Sequence, residues 1–144
     1  MEAVFARRVP FALSWAERRG DPAGGLVALS GDTMVGLLGM VGLRDGAVEV
    51  AQLYVRPAYQ GEGVGSALWD EALRAVGERG VRRLHVWTLE RARAIPFYLA
   101  RGCVEVGRAT ASVGPHVEPV VELARDVPLP GRADSRLNSG PRDE

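Results

Sequence analysis

From Tyr54 to Leu68 the chain reads YVRPAYQGEGVGSAL, an apolar strand-like run that passes into a helical period through three alternate glycines, Gly61, Gly63 and Gly65. Val64, Leu68, Ala72, Ala75 and Val76 then recur at helical spacing, and Gly80 stands where such a helix would end. Backbone amides in the first turn of a helix point outward with the positive end of the helix dipole behind them, and bare glycines let an anion approach them closely. The junction therefore suits a phosphate or pyrophosphate. A few charge-assisted bonds of about 1.5 to 3 kcal/mol each would hold one without a lysine.

The run that leads in, AVEVAQLYV (47 to 55), changes phase partway. Val48 and Val50 share one parity and Leu53 and Val55 the other, so a regular strand would place these pairs on opposite faces. A bulge near Ala51 and Gln52 restores a common face and leaves backbone N–H and C=O groups free for another partner.

Around this unit the pattern predicts a helix over Phe11 to Arg19, a hairpin from LVALS (26 to 30) and TMVGLLGMVGL (33 to 43) turning at Gly31-Asp32, a strand over 81 to 89, and a helix over Ala92 to Arg101. Two late strands, Cys103 to Ser112 and Val117 to Ala124, turn at Gly114-Pro115. This order argues an α/β fold in which the strands on either side of the first long helix are parallel and the rest of a mixed sheet is antiparallel. One domain is expected over 1–127, followed by a polar, Pro- and Gly-rich flexible tail over 128–144.

Composition removes several classes. The 18 basic and 18 acidic residues cancel, which argues against nucleic acid or an anionic membrane as partner. All the basic residues are Arg, so a Walker loop and a lysine nucleophile are excluded. One cysteine, Cys103, and two histidines make no metal pattern, and no apolar run is long enough to span a membrane, so a metal-free, cytoplasmic protein is expected. A dinucleotide fingerprint fits less well, because Ser66 stands where its third glycine belongs; Glu90, at the end of the next strand, is nevertheless placed like a ribose-binding acid.

LYVRPAYQGEGVGSAL resembles the acetyl-CoA signature of the GCN5-related N-acetyltransferase (GNAT) superfamily, Gln/Arg-x-x-Gly-x-Gly/Ala, through Gln60, Gly63 and Gly65. ARAIPFYLARGC (92 to 103) is similar to the family's next helix, with Ala94, Phe97, Tyr98 and Gly102 in place. The resemblance covers about Leu26 to Ala124. It implies a sheet splayed at its central parallel pair and direct transfer of an acetyl group from acetyl-CoA, the cosubstrate, to an amine of a small-molecule or peptide acceptor. It further implies that Leu53, Val55, Gln60, Gly61, Glu62, Gly63, Val64, Gly65, Ser66, Arg91 and Tyr98 contact the cofactor. Tyr98 matches the tyrosine that protonates the departing sulfur, the Val55 amide the donor to the thioester carbonyl, and Glu49 the carboxylate that takes the amine's proton.

Departures from the family pattern carry their own readings. Arg91 replaces an asparagine and either pairs with a CoA phosphate or faces solvent, while Cys103 replaces a phenylalanine as a smaller core residue. His85 reads as a satisfied sheet histidine, and His116 lies in the last turn. Only about 25 residues precede the first hairpin where the family has a strand and two helices, so the acceptor pocket is expected to be more open than usual or completed by a second subunit in a homodimer. Two other readings share these motifs: a non-catalytic acyl-CoA sensor of the same fold, and a dinucleotide-binding module.

Overall fold

The structure is a computed structural model and describes residues 10–16 and 24–130. Its elements are β1 (Ala12–Ala16), β2 (Gly25–Ser30), β3 (Thr33–Gly42), β4 (Ala47–Val55), α1 (Val64–Glu78), β5 (Arg83–Leu89), α2 (Ile95–Ala100), β6 (Val104–Val113) and β7 (His116–Asp126). The strands form one mixed sheet in the order β1-β2-β3-β4-β5-β7-β6. Only β4 and β5 are parallel, joined through α1, and every other neighbouring pair is antiparallel. This is the α/β architecture expected.

The phase change in β4 is a bulge. Val50 pairs with Met40 and Gln52 with the adjacent Gly39, so Ala51 is the extra residue. As a result Val48 and Val50 before it, and Leu53 and Val55 after it, all turn toward the face that α1 covers, where Leu26, Leu38, Met40, Leu84 and Leu123 are each no more than 1% exposed. Leu68 and Trp69 of α1 close this core from above.

Glycine ends both helices. Gly80 and Gly102 take φ of 84° and 90°, a conformation that costs other residues a β-carbon clash. In each case the next amide reaches back five residues, Val81 to the Val76 carbonyl at 3.0 Å and Cys103 to that of Tyr98 at 3.1 Å, which satisfies carbonyls the helix would otherwise leave open.

Two expectations are corrected. The predicted helix over Phe11 to Arg19 is not formed in its described part: Ala12–Ala16 is an edge strand antiparallel to β2, and residues 17–19 lie outside the described residues. Its alternation decides this, because Leu13 and Trp15 pack on the core while Ala12, Ser14 and Ala16 face out, and the Trp15 indole donates to the Glu71 carboxylate of α1 at 2.9 Å. The helical period arises only if the small alanines are counted as apolar. The second helix is also shorter than Ala92 to Arg101, beginning at Ile95 with Pro96 in its first turn, where a missing N–H costs nothing.

The chain after β7 stays on the fold for at least a few residues. Val127 is buried, its amide donates to the Arg82 carbonyl at 3.0 Å, and a β-carbon on Gly77 would stand 2.9 Å from the Pro128 carbonyl. The predicted tail beyond residue 130 lies outside the described residues.

Candidate active site

The β4–β5 ladder runs only from Ala47 with Arg83 to Val50 with Val86. Beyond that point β4 stays with β3 up to Val55, and β5 stays with β7 up to Leu89, so the two central strands part company at the Ala51 bulge. The Arg56 amide donates to Val35 of β3 at 2.8 Å. Because backbone groups alternate sides along a strand, the N–H and C=O of Val55 and Leu53 turn away from β3 and into the opening. That edge is a row of backbone groups suited to pair with an extended amide-bearing ligand.

The glycine loop closes one end of this opening. A short 3₁₀ turn over Pro57–Tyr59 leads to Gly61 and Gly63, with φ of 81° and 87°, and Gly63 caps α1. The cap residue Gly63 offers no side chain to the first turn of α1, that turn carries no acidic residue, and the first intrahelical bond is Ala67 N–H to the Gly63 carbonyl at 3.0 Å. The amides of Val64, Gly65 and Ser66 thus have no carbonyl four residues behind them inside the helix, so they and the dipole present an anion-binding end. Two side chains brace the loop: Gln60 Nε2 donates to the Val55 carbonyl at 3.0 Å and Arg56 Nε to the Met34 carbonyl at 2.6 Å. Gly65 lies between the opening and α2, since a β-carbon there would meet Val55 and Phe97 at 3.7 Å.

Tyr98 comes to this region from α2. Its ring is 6% exposed and packs at 5.7 Å from Trp69 and 5.5 Å from Phe97. Burial, and secondarily the neighbouring Cys103, push its phenol above the ordinary value, so it stays protonated through neutral pH. Cys103 itself is buried, in keeping with a core filler.

The remaining candidates divide. Glu49 is half-buried and pairs in register with His85, on the sheet face opposite α1. Arg91 is exposed and lies 3.5 Å from the Glu118 carboxylate, so its charge is engaged at the rim. Glu62 is half-buried within the loop. His116 is exposed at the start of β7.

Several contacts were not legible in the sequence. Arg101 stacks its guanidinium 4.3 Å over the Phe97 ring and donates to the Ser66 hydroxyl in the first turn of α1; the four-residue spacing of Phe97 and Arg101 on a helix was the available signal. Arg125, 3% exposed, donates to the Arg101 carbonyl at 2.7 Å and anchors the end of α2 to the sheet. The His85 partner, Glu122, lies on a strand whose position beside β5 no local pattern announces.

A family model described as acetyltransferase (GNAT) family matches residues 2–103. Among curated protein sequences, none matches significantly. Solved structures with the same fold include the ribosomal-protein-S18-alanine N-acetyltransferase from Escherichia coli, with a TM-score of 0.72 and 17% identity over 85% of this chain and 97% of that one. An IAA acetyltransferase from Bacillus cereus superposes with a TM-score of 0.62 at 19% identity, covering 72% and 77% of the two chains. Ard1 from Thermoplasma volcanium gives 0.67 at 20% identity, covering 72% and 70%.

Proposed function

The chain belongs to the acetyltransferase (GNAT) family, and from that premise we propose that it transfers an acetyl group from acetyl-CoA directly to the amine of a small-molecule or peptide acceptor, both being bound at once. The observation that carries this reading is the parting of β4 and β5 at the Ala51 bulge beside the glycine-lined N-terminal end of α1. The two features are chemically matched to one ligand, since a row of free strand amides suits a pantetheine arm and outward helix amides suit a pyrophosphate.

Acetyl-CoA supplies an acyl thioester, activated toward amines, when bound. The residues that would hold it are Leu53 and Val55 through their backbone, and Gly61 to Ser66 through their amides. The Val55 N–H, fixed in the sheet, donates to the carbonyl oxygen as negative charge grows there, and because it is backbone it needs no reorganisation. The Tyr98 hydroxyl, kept protonated by burial, gives its proton to the departing sulfur. Glu49, at the closed end of the opening, attracts the ammonium form of the acceptor and receives its first proton through water.

The test is calorimetric titration of the purified protein with acetyl-CoA, with CoA and NADH alongside. Saturable one-to-one binding of acetyl-CoA with NADH silent is expected. A folded protein that gives neither heat nor thermal stabilisation with acetyl-CoA would remove the reading, and binding of NADH instead would favour a dinucleotide module.

A further inference from the structure

Among the described residues, the contact of His85 on the sheet face opposite α1 resembles catalytic apparatus. Its Nδ1 lies 2.8 Å from Glu122 Oε2, with both side chains about four-fifths buried, at 20% and 23% exposure. A carboxylate can only accept, so it fixes the neutral imidazole as the Nδ1–H tautomer and leaves the lone pair on Nε2. The sheet makes room for this carboxylate. Glu122 pairs with Gly107, next to a bulge in β6, and a β-carbon on Gly107 would stand 3.2 Å from Glu122 Oε1.

The place of this pair is as telling as its geometry. His85 is in register with Glu49 on β4, and the next pair, Val50 with Val86, is the last before β4 and β5 separate. Strand alternation puts Glu49, His85, Trp87 and Glu122 on the face opposite α1, and among the described residues neither helix packs on that face. Trp87 is 39% exposed there. Among the described residues, the other charged groups on this face are Arg83 and Asp126, which pair with each other at 2.8 Å, and, farther along β7, Glu118 with Arg91 at 3.5 Å.

We propose that His85 Nε2 is the base for the acceptor amine and that Glu122 is its positioning residue. The inference rests on the acetyltransferase reading and adds the side of approach: phosphates lie on the α1 face, the amine enters from the open one. The ammonium first loses one proton through Glu49 to water. As the nitrogen bonds to the acyl carbon, its second proton passes to His85 Nε2, the carbon–sulfur bond breaks, and the sulfur takes the Tyr98 proton. Solvent then returns the proton from His85 to Tyr98, so the chain is unchanged.

His85 and His116 are the chain's two histidines, so histidine chemistry is separable. Carbethoxylation by diethyl pyrocarbonate, mapped by mass spectrometry, should slow at His85 by about tenfold when acetyl-CoA is present at about ten times its dissociation constant, while His116 is unaffected. Nitrogen NMR of the wild-type protein should show the Nδ1–H tautomer at His85, and Glu122→Gln should release it. With propylamine as probe acceptor, kcat/KM should rise along a pH limb that His85→Gln abolishes. Unprotected His85 in protein that calorimetry shows to bind acetyl-CoA, an Nε2–H tautomer, a limb that survives His85→Gln, or no transfer to propylamine would each overturn the proposal. Failure to bind acetyl-CoA at all would instead overturn the reading beneath it.

Discussion

Gly36 of β3 lies directly beneath Val64, the first residue of α1: a β-carbon on Gly36 would stand 2.9 Å from Val64 Cγ1 and 3.1 Å from the Tyr54 carbonyl. The missing side chain lets the head of the helix settle onto the sheet beside the end of β4, and thereby sets how its first-turn amides meet the strand opening.

Gly36→Val should therefore lift the start of α1. The overpacking is expected to cost about 1 to 3 kcal/mol, and acetyl-CoA affinity should fall by more than that of Gly31→Ala, a control in open space that carries only its own backbone strain at φ 61°. Chemical denaturation and calorimetry read the two effects. Equal affinity in Gly36→Val and wild type would show that this contact does not position the loop.

Tyr98→Phe keeps the ring against Trp69 and Phe97 and removes only the hydroxyl. Turnover should fall on the order of a hundredfold while acetyl-CoA affinity stays within about twofold. Undiminished turnover would leave Tyr98 a packing residue.

The same substitution has a signature in alkali. Burial raises the Tyr98 pKa in the folded state, so its contribution to stability is complete below the ordinary tyrosine value of about 10 and is lost as pH rises from there through the folded value. Denaturation midpoints between about pH 9 and 11 should drop more steeply for wild type than for Tyr98→Phe. Parallel curves would mean that the phenol is not shielded in solution.

At the acid end Glu71 behaves oppositely. Its hydrogen bonds from Arg74 and, less strongly, from Trp15 outweigh the cost of burial and hold its carboxyl below the ordinary value. Its stabilising contribution is present above about 4.3 and disappears as pH falls through the folded value. Glu71→Gln should flatten that acid limb and loosen β1, seen as faster amide exchange in Leu13 and Trp15. An unchanged acid limb would count against the Trp15–Glu71 link.

Arg125→Met retains the apolar stem but removes the donor to the Arg101 carbonyl. A loss of about 1.5 to 3 kcal/mol is expected for a buried, charge-assisted bond, with faster exchange concentrated in α2. A uniform effect across the sheet would place the role of Arg125 elsewhere.

Much of this arrangement was written locally. The bulge at Ala51 followed from side-chain parity in nine residues, because a strand has only two faces and apolar residues must share the buried one. The helix from Val64, its stop at Gly80, the late hairpin and the glycine loop were likewise set by short-range periodicity and by backbone conformations that only glycine adopts cheaply. Residues 12–16 are ambiguous in sequence for a related reason: five residues with three small side chains satisfy a helix or a strand period, and pairing with the edge of β2 settles the matter.

What the sequence determined by itself is thus the order of elements and the chemistry of the strand–loop–helix junction, since both depend on neighbours within a few positions. Where β4 and β5 separate, that Trp15 reaches Glu71, that Arg125 holds α2, and that Glu122 orients His85 were decided only by the tertiary structure. These partners come from strands and helices brought together by sheet order, and a hydrogen bond spanning 37 positions, as between His85 and Glu122, leaves no periodic trace in either segment.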